Sequence, residues 1–68
     1  MKIDTEKLKI AQANKCMTNH DLCRVAKIGH VTLIEIKNGR RKSPNLKTIG
    51  KLAKALNVDV VDLLQVEN

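Results

Sequence analysis

Arg40, Arg41 and Lys42 are consecutive cations in a segment closed by Ser43-Pro44, and shortly before them stand His30, Val31, Thr32 and Glu35. Guanidinium and ammonium groups suit phosphate oxygens, whereas imidazole, hydroxyl, carboxylate and small apolar groups at helical spacing suit base edges in a major groove. His30 can hydrogen-bond a guanine or a phosphate, Val31 or the Thr32 methyl can touch a thymine methyl, and Glu35 can accept from cytosine N4. Each has a plainer reading: an ion pair of Glu35 with Arg24 or Lys37, a solvated cationic run, an exposed Val31 without a role. The remaining reactive types form no catalytic set. Ser43 is the only serine, with no His or acid placed near it in sequence, and there is no Gly-rich phosphate loop. His20 and His30 are not paired with carboxylates at metal-ligand spacing. Cys16 and Cys23, seven apart, fit no CxxC or zinc pattern and read as reduced, structural thiols. Neither an enzyme nor a metal or cofactor site is expected.

Charge and composition narrow the partner. Thirteen Lys and Arg against seven Asp and Glu give a formal net charge of +6, which favours a polyanion. The chain has no Trp, Tyr or Phe, so single-stranded nucleic acid, normally gripped by aromatic stacking, is disfavoured. No run of apolar residues is long enough to span a membrane, and the N-terminus lacks a signal-peptide core. A soluble, cytoplasmic protein is expected. With 68 residues the chain suffices for one small domain, 1–68, and a core of Leu, Ile, Val, Ala, Met and Cys suits helices packed on helices.

The elements that must position the polar set follow from caps and periodicity. Asp4 or Thr5 can start a first helix running through Leu8, Ile10 and Ala11 to about Lys15, after a frayed Met1 to Asp4; Leu8 and Ala11 make its inner pair. Thr18 with Asp21 is a capping box. Leu22, Cys23 and Ala26 then share one face, and after Gly29 a second stripe, Leu33 and Ile36, belongs to a short helix from about His30 that ends at Asn38-Gly39. Two short helices joined by a few residues, the first with small inward side chains, form a helix-turn-helix unit. Asn45 caps a fourth helix with Leu46, Ile49, Leu52, Ala53 and Leu56 inward, in which Gly50 is expected to permit close approach of a neighbour. Asn57 ends it in a left-handed conformation, and Asp59 caps a fifth helix, Val60 to about Gln65.

Thr18, Leu22, Cys23, Leu33, Ile36, Asn38 and Gly39, followed by Pro44-Asn45-Leu46 and Leu52-Ala53-Lys54-Ala55-Leu56, resemble the Cro/repressor (Xre-type, lambda-repressor-like) family of DNA-binding domains from about Leu8 to Leu64. The resemblance implies a compact, all-α, five-helix domain with the helix-turn-helix in helices 2 and 3. It also implies that Gln12 and Asn19 touch the DNA backbone. The chain departs from the family in having Cys16 and Lys27 where glycine is usual. A left-handed Cys16 would carry strain of roughly 1 kcal/mol, and Gly29 is expected either to absorb the awkward dihedral at the turn or to cap the next helix.

On this reading the helix at 30–37 enters the major groove of duplex DNA. His30, Val31, Thr32 and Glu35 face the bases. Thr18 and Asn19, at a helix N-terminus, with Asn38, Arg40, Arg41 and Lys42, face phosphates. One such unit reads few base pairs, so a homodimer on a palindromic operator is expected, with half-sites about 34 Å apart. Val60, Leu63 and Leu64 bury the inner face of the last helix, leaving Val61, with Gln65 and Val66, for the dimer contact. The expected function is a sequence-specific transcriptional regulator, a repressor, with no small-molecule effector and no membrane partner. The alternative is a protein-interaction module of the same fold, an antitoxin or a partner of another regulator.

Overall fold

A computed structural model describes residues 2–41 and 43–66. The chain is all-α: α1 (Thr5–Asn14), α2 (Asn19–Ala26), α3 (His30–Lys37) and α4 (Leu46–Leu56), followed by a 3-10 turn at Val60–Leu63. The expected fifth α-helix is therefore corrected to a single tight turn. Its shortness has a cause on each side. Val60 and Val61 are β-branched and weak helix formers, and Leu64 is drawn into an antiparallel bridge with Ile3, which commits its backbone to extended geometry.

That bridge also overturns the frayed N-terminus. Ile3 is only 2 % exposed. The Asp4 amide donates to Leu63 O at 2.8 Å, and the Gln65 amide donates to Lys2 O at 2.9 Å. Lys7 Nζ adds a bond to Leu64 O at 2.9 Å. In a chain without aromatic residues, one more buried isoleucine is a sizeable part of the core, and the arm is tied down to supply it. Ile10 stays exposed.

Caps set the helix starts. Asp4 accepts from the Glu6 and Lys7 amides, Thr18 and Asp21 exchange both capping-box hydrogen bonds, and Asn45 accepts from the Thr48 amide at 2.9 Å. The inner faces are Leu8 and Ala11 of α1, Leu22, Cys23 and Ala26 of α2, Leu33 and Ile36 of α3, and Ile49, Leu52, Ala53 and Leu56 of α4. Leu46 does not join them. It is 69 % exposed, because the buried stripe of α4 begins a turn later; the buried residue at this end of the helix is Pro44. Nor does Gly50 admit a neighbour: a Cβ built there meets nothing within 4 Å. Of the last segment, Leu63 is buried and Val60 and Leu64 are half-buried.

Left-handed residues join the helices. Cys16 has φ +54° and Lys27 φ +59°, so the turn between α2 and α3 keeps a left-handed step with Lys in the place where the family usually has Gly. Gly29 does not absorb it; at φ −74° it is the N-cap of α3. Asn57, at φ +56°, ends α4 as expected. Cys23 is buried and Cys16 is exposed, so only one of the two thiols packs in the interior.

Candidate nucleic-acid interface

Burial of Leu33 and Ile36 fixes the rotation of α3, and the opposite side of the helix is left to solvent. His30, Val31, Ile34 and Asn38 are exposed there, and Glu35 is half-exposed at the edge. Thr32 lies closer to the inner side and is half-buried. Ile34 is the residue that the sequence reading missed. Its signal was present in the spacing, since a position three after Val31 and one after Leu33 must share Val31's side of the helix.

Glu35 has a definite partner, but neither of the two expected. Arg41 Nη2 donates to Glu35 Oε1 at 3.0 Å, and the Arg41 amide donates to Glu35 O at 3.0 Å. Arg24 instead faces Asp21 at 3.8 Å. The basic loop is thereby docked on the C-terminal half of α3 through both the backbone and the side chain of Arg41. At its start, Asn38 Oδ1 accepts the Arg40 amide at 3.0 Å, and Gly39 takes φ +84°, a conformation that glycine adopts without a steric penalty. Arg40 is exposed and enters no ion pair among the described residues. Lys42, the third expected cation, lies outside the described residues.

A polar network joins α1, α2 and α3 beneath this surface. Gln12 is 7 % exposed; its Nε2 donates to Met17 O and to Asn19 Oδ1, each at 3.0 Å. Both amide hydrogens are thus engaged internally, so Gln12 has no amide hydrogen left for an external partner in this arrangement. Lys37 Nζ donates to Gln12 Oε1 at 2.9 Å and to Asn19 Oδ1 at 2.6 Å. No carboxylate pairs with Lys37 among the described residues. Partial burial pushes its ammonium below the usual lysine range, and the charge of Lys9 adds to the effect. Asn19 Oδ1 receives two hydrogen bonds, which leaves the Asn19 amide as a donor at the start of α2.

Thr18 is exposed, with Oγ1 accepting the Asp21 amide at 3.0 Å. The backbone and side-chain hydrogen bonds of Thr18 hold the Asp21 carboxyl below its ordinary value, helped by Arg24. His20 comes to 5.5 Å from His30, ring centre to ring centre, a proximity between α2 and α3 that spacing alone does not disclose. The outward side of the helix-turn-helix therefore holds imidazoles, an apolar pair, the Asn19 amide and Arg40.

Elsewhere on the surface Val61 is exposed and, with Ile10, Ala11 and Val58, lines an open groove of about 500 Å³ that Lys7 and Asp62 also line. Val66 and Gln65 are exposed as well, and Gln65 Nε2 reaches Ile3 O at 3.4 Å. No helix among the described residues is long and apolar enough to cross a membrane. Among the same residues no group of three or more His, Cys, Asp or Glu gathers as a metal ion would require.

No curated protein and no solved structure matches the chain. A family model does: that of the Cro/C1-type helix-turn-helix DNA-binding domain, over residues 7–68. With an all-α fold, a helix-turn-helix made by α2 and α3, and nearly the whole length matched, the chain belongs to the Cro/C1-type helix-turn-helix DNA-binding family.

Proposed function

We propose that the protein is a sequence-specific regulator of transcription, a repressor that binds a palindromic operator in duplex DNA as a homodimer. The observation that carries this reading is the docking of the basic loop on α3: the Arg41–Glu35 pair at 3.0 Å holds Arg40 beside the outward face of a helix whose inner face is fully buried. A groove-entering helix needs cations at its flank, because phosphates line both walls of the groove.

In this reading α3 lies in the major groove. His30 and Val31 meet base edges first, Thr32 contributes from the inner edge, and Glu35 contributes chiefly by positioning Arg41. Thr18 and the Asn19 amide meet a phosphate at the start of α2, where free backbone N–H groups and the helix dipole favour an anion. Gln12 acts through Asn19, by orienting it. Asn38, Arg40, Arg41 and Lys42 meet phosphates further along the strand. The second protomer docks through Val61, Gln65 and Val66, and the exposed Ile10 and Val61 flanking one groove supply apolar area for that contact. Repression follows from occupancy, as the bound dimer excludes polymerase.

Selection from a random duplex pool tests the reading. Enrichment of a palindromic consensus is the expected result, and replacement of Arg40, Arg41 and Lys42 with Ala should lower the slope of log affinity against log salt by about 0.9 for each phosphate no longer neutralised. Weak binding to every duplex, independent of salt from the outset, would favour the protein-interaction module instead. Sedimentation of a monomer at high concentration and on palindromic DNA would remove the dimer.

A further inference from the structure

The outward side of α3 carries two large apolar side chains where a helix of a water-exposed domain ordinarily carries charge. Val31 is 72 % exposed and Ile34 43 %. They are three residues apart, about 60° round an ideal helix and about 4.5 Å along it, and so form one ridge on the side away from Leu33 and Ile36. Two of the polar side chains of this helix are occupied: the Glu35 carboxylate takes Arg41, and the Lys37 ammonium is held by Gln12 and Asn19. Of the side chains that recognise guanine or adenine through paired hydrogen bonds, Arg, Lys, Asn and Gln, the helix His30–Lys37 contains only Lys37, whose ammonium is already held.

Exposed apolar surface regains its cost only against another apolar group. The apolar group at base edges in the major groove is the C5-methyl of thymine. The surrounding charge favours a duplex over an apolar protein as the occupant. Arg40 follows close after α3, its amide bonded to Asn38 Oδ1, in a chain of formal net charge +6. Resting on the DNA-binding reading above, we infer that Val31 and Ile34 read the 5-methyl groups of thymines on successive base pairs, and that these methyls are the main sequence determinant of each half-site. The advance of about 4.5 Å along the helix between the two residues is commensurate with the roughly 3.4 Å rise of one base pair. Ile34 thus becomes a specificity residue beside Val31.

Deoxyuridine tests this directly, since replacing thymine by it removes the methyl and leaves every hydrogen-bonding group of the base pair in place. Sites are first selected from a random duplex pool, and each thymine of the winning half-site is then replaced in turn. The expected result is a loss of about fourfold in affinity at each of two neighbouring positions, the worth of one buried methyl. Val31→Ala should abolish the sensitivity at one position and Ile34→Ala at the other, with helix content unchanged by circular dichroism. A half-site enriched without thymine, or full affinity after every thymine is replaced, overturns the inference while leaving sequence-specific binding intact. Failure to enrich any duplex overturns both the inference and the regulator reading beneath it.

Discussion

Lys37 is an ammonium group held by two amide oxygens, at 2.9 Å from Gln12 and 2.6 Å from Asn19, with no carboxylate to balance it among the described residues. Neutral oxygens satisfy its hydrogen bonds but do not cancel its charge, and partial burial removes water that would otherwise do so. The folded-state pKa is consequently below the unfolded value of 10.5. A base with a lowered folded pKa destabilises the fold wherever it is charged in both states, which includes neutral pH. The penalty is relieved as pH rises through the folded pKa towards 10.5. The stability of the wild type relative to Lys37→Met should therefore rise with pH across that alkaline window and stay flat below it; denaturant unfolding at a series of pH values measures the difference. No counter-charge faces this site among the described residues, and on the proposed DNA-binding reading a phosphate would supply one, so the same substitution should weaken duplex binding and flatten its salt dependence by the equivalent of one phosphate, about 0.9 in slope. That Lys37 matters was not legible in the sequence: spacing put it on the flank of α3 as a left-over cation, and only the approach of α1 brings Gln12 to it.

Each element carries a local choice that can be tested by itself. In α4, Gly50 sits mid-helix with open space where a Cβ would go, so the helix bears the entropic cost of glycine without a packing return. Gly50→Ala should stabilise the fold by about 1 kcal/mol and raise the melting temperature by about 4–8 °C, read by thermal denaturation followed by circular dichroism. In α3 and the loop behind it, Glu35 cancels much of the charge of Arg41 at 3.0 Å. Glu35→Gln should remove the carboxylate that competes for Arg41, strengthening its contact with the phosphate it meets, so that non-specific duplex binding tightens and the salt slope steepens by at most about 0.9. If Glu35 instead accepts from a cytosine, the substitution will relax the preference at one base pair, and a selected-site panel distinguishes the two outcomes. The capping box at Thr18, the cap at Asn45 and the left-handed Asn57 were all readable from residue type, because a cap is an interaction among neighbours in the chain; for α1 residue type left Asp4 and Thr5 open, and the structure has Asp4. Lys27 was not readable in this way, since its φ of +59° goes against the preference of its residue type; it is the left-handed C-cap of α2, its amide bonded to Cys23 O.

Across the whole molecule, the two ends of the chain hold one another. Ile3 contributes a fully buried side chain, and the backbone bonds from Asp4 to Leu63 and from Gln65 to Lys2, at 2.8 and 2.9 Å, close the arm over it. Ile3→Ala should cost about 2–5 kcal/mol, against a total of roughly 3–10 kcal/mol for a chain of this length. Its urea midpoint should fall sharply with little change in slope. The same closure ends the last segment after one turn and leaves Val61 and Ile10 on one open groove, the surface on which the proposed dimer contact depends.

Local interactions and periodicity were determined by the sequence alone: the all-α class, the starts of α1, α2 and α4, the inward stripes, the turn at Gly39, and a basic loop beside an outward helix face. Each depends on residues within a few positions of one another, where helix geometry converts type and spacing into direction. The tertiary structure decided what depends on residues far apart in sequence. It tied Ile3 to Leu64 and shortened the last helix, exposed Leu46, gave Glu35 to Arg41, and placed Gln12 and Asn19 around the uncompensated charge of Lys37. Those outcomes depend on which groups meet once the helices pack, and spacing along the chain carries no measure of that.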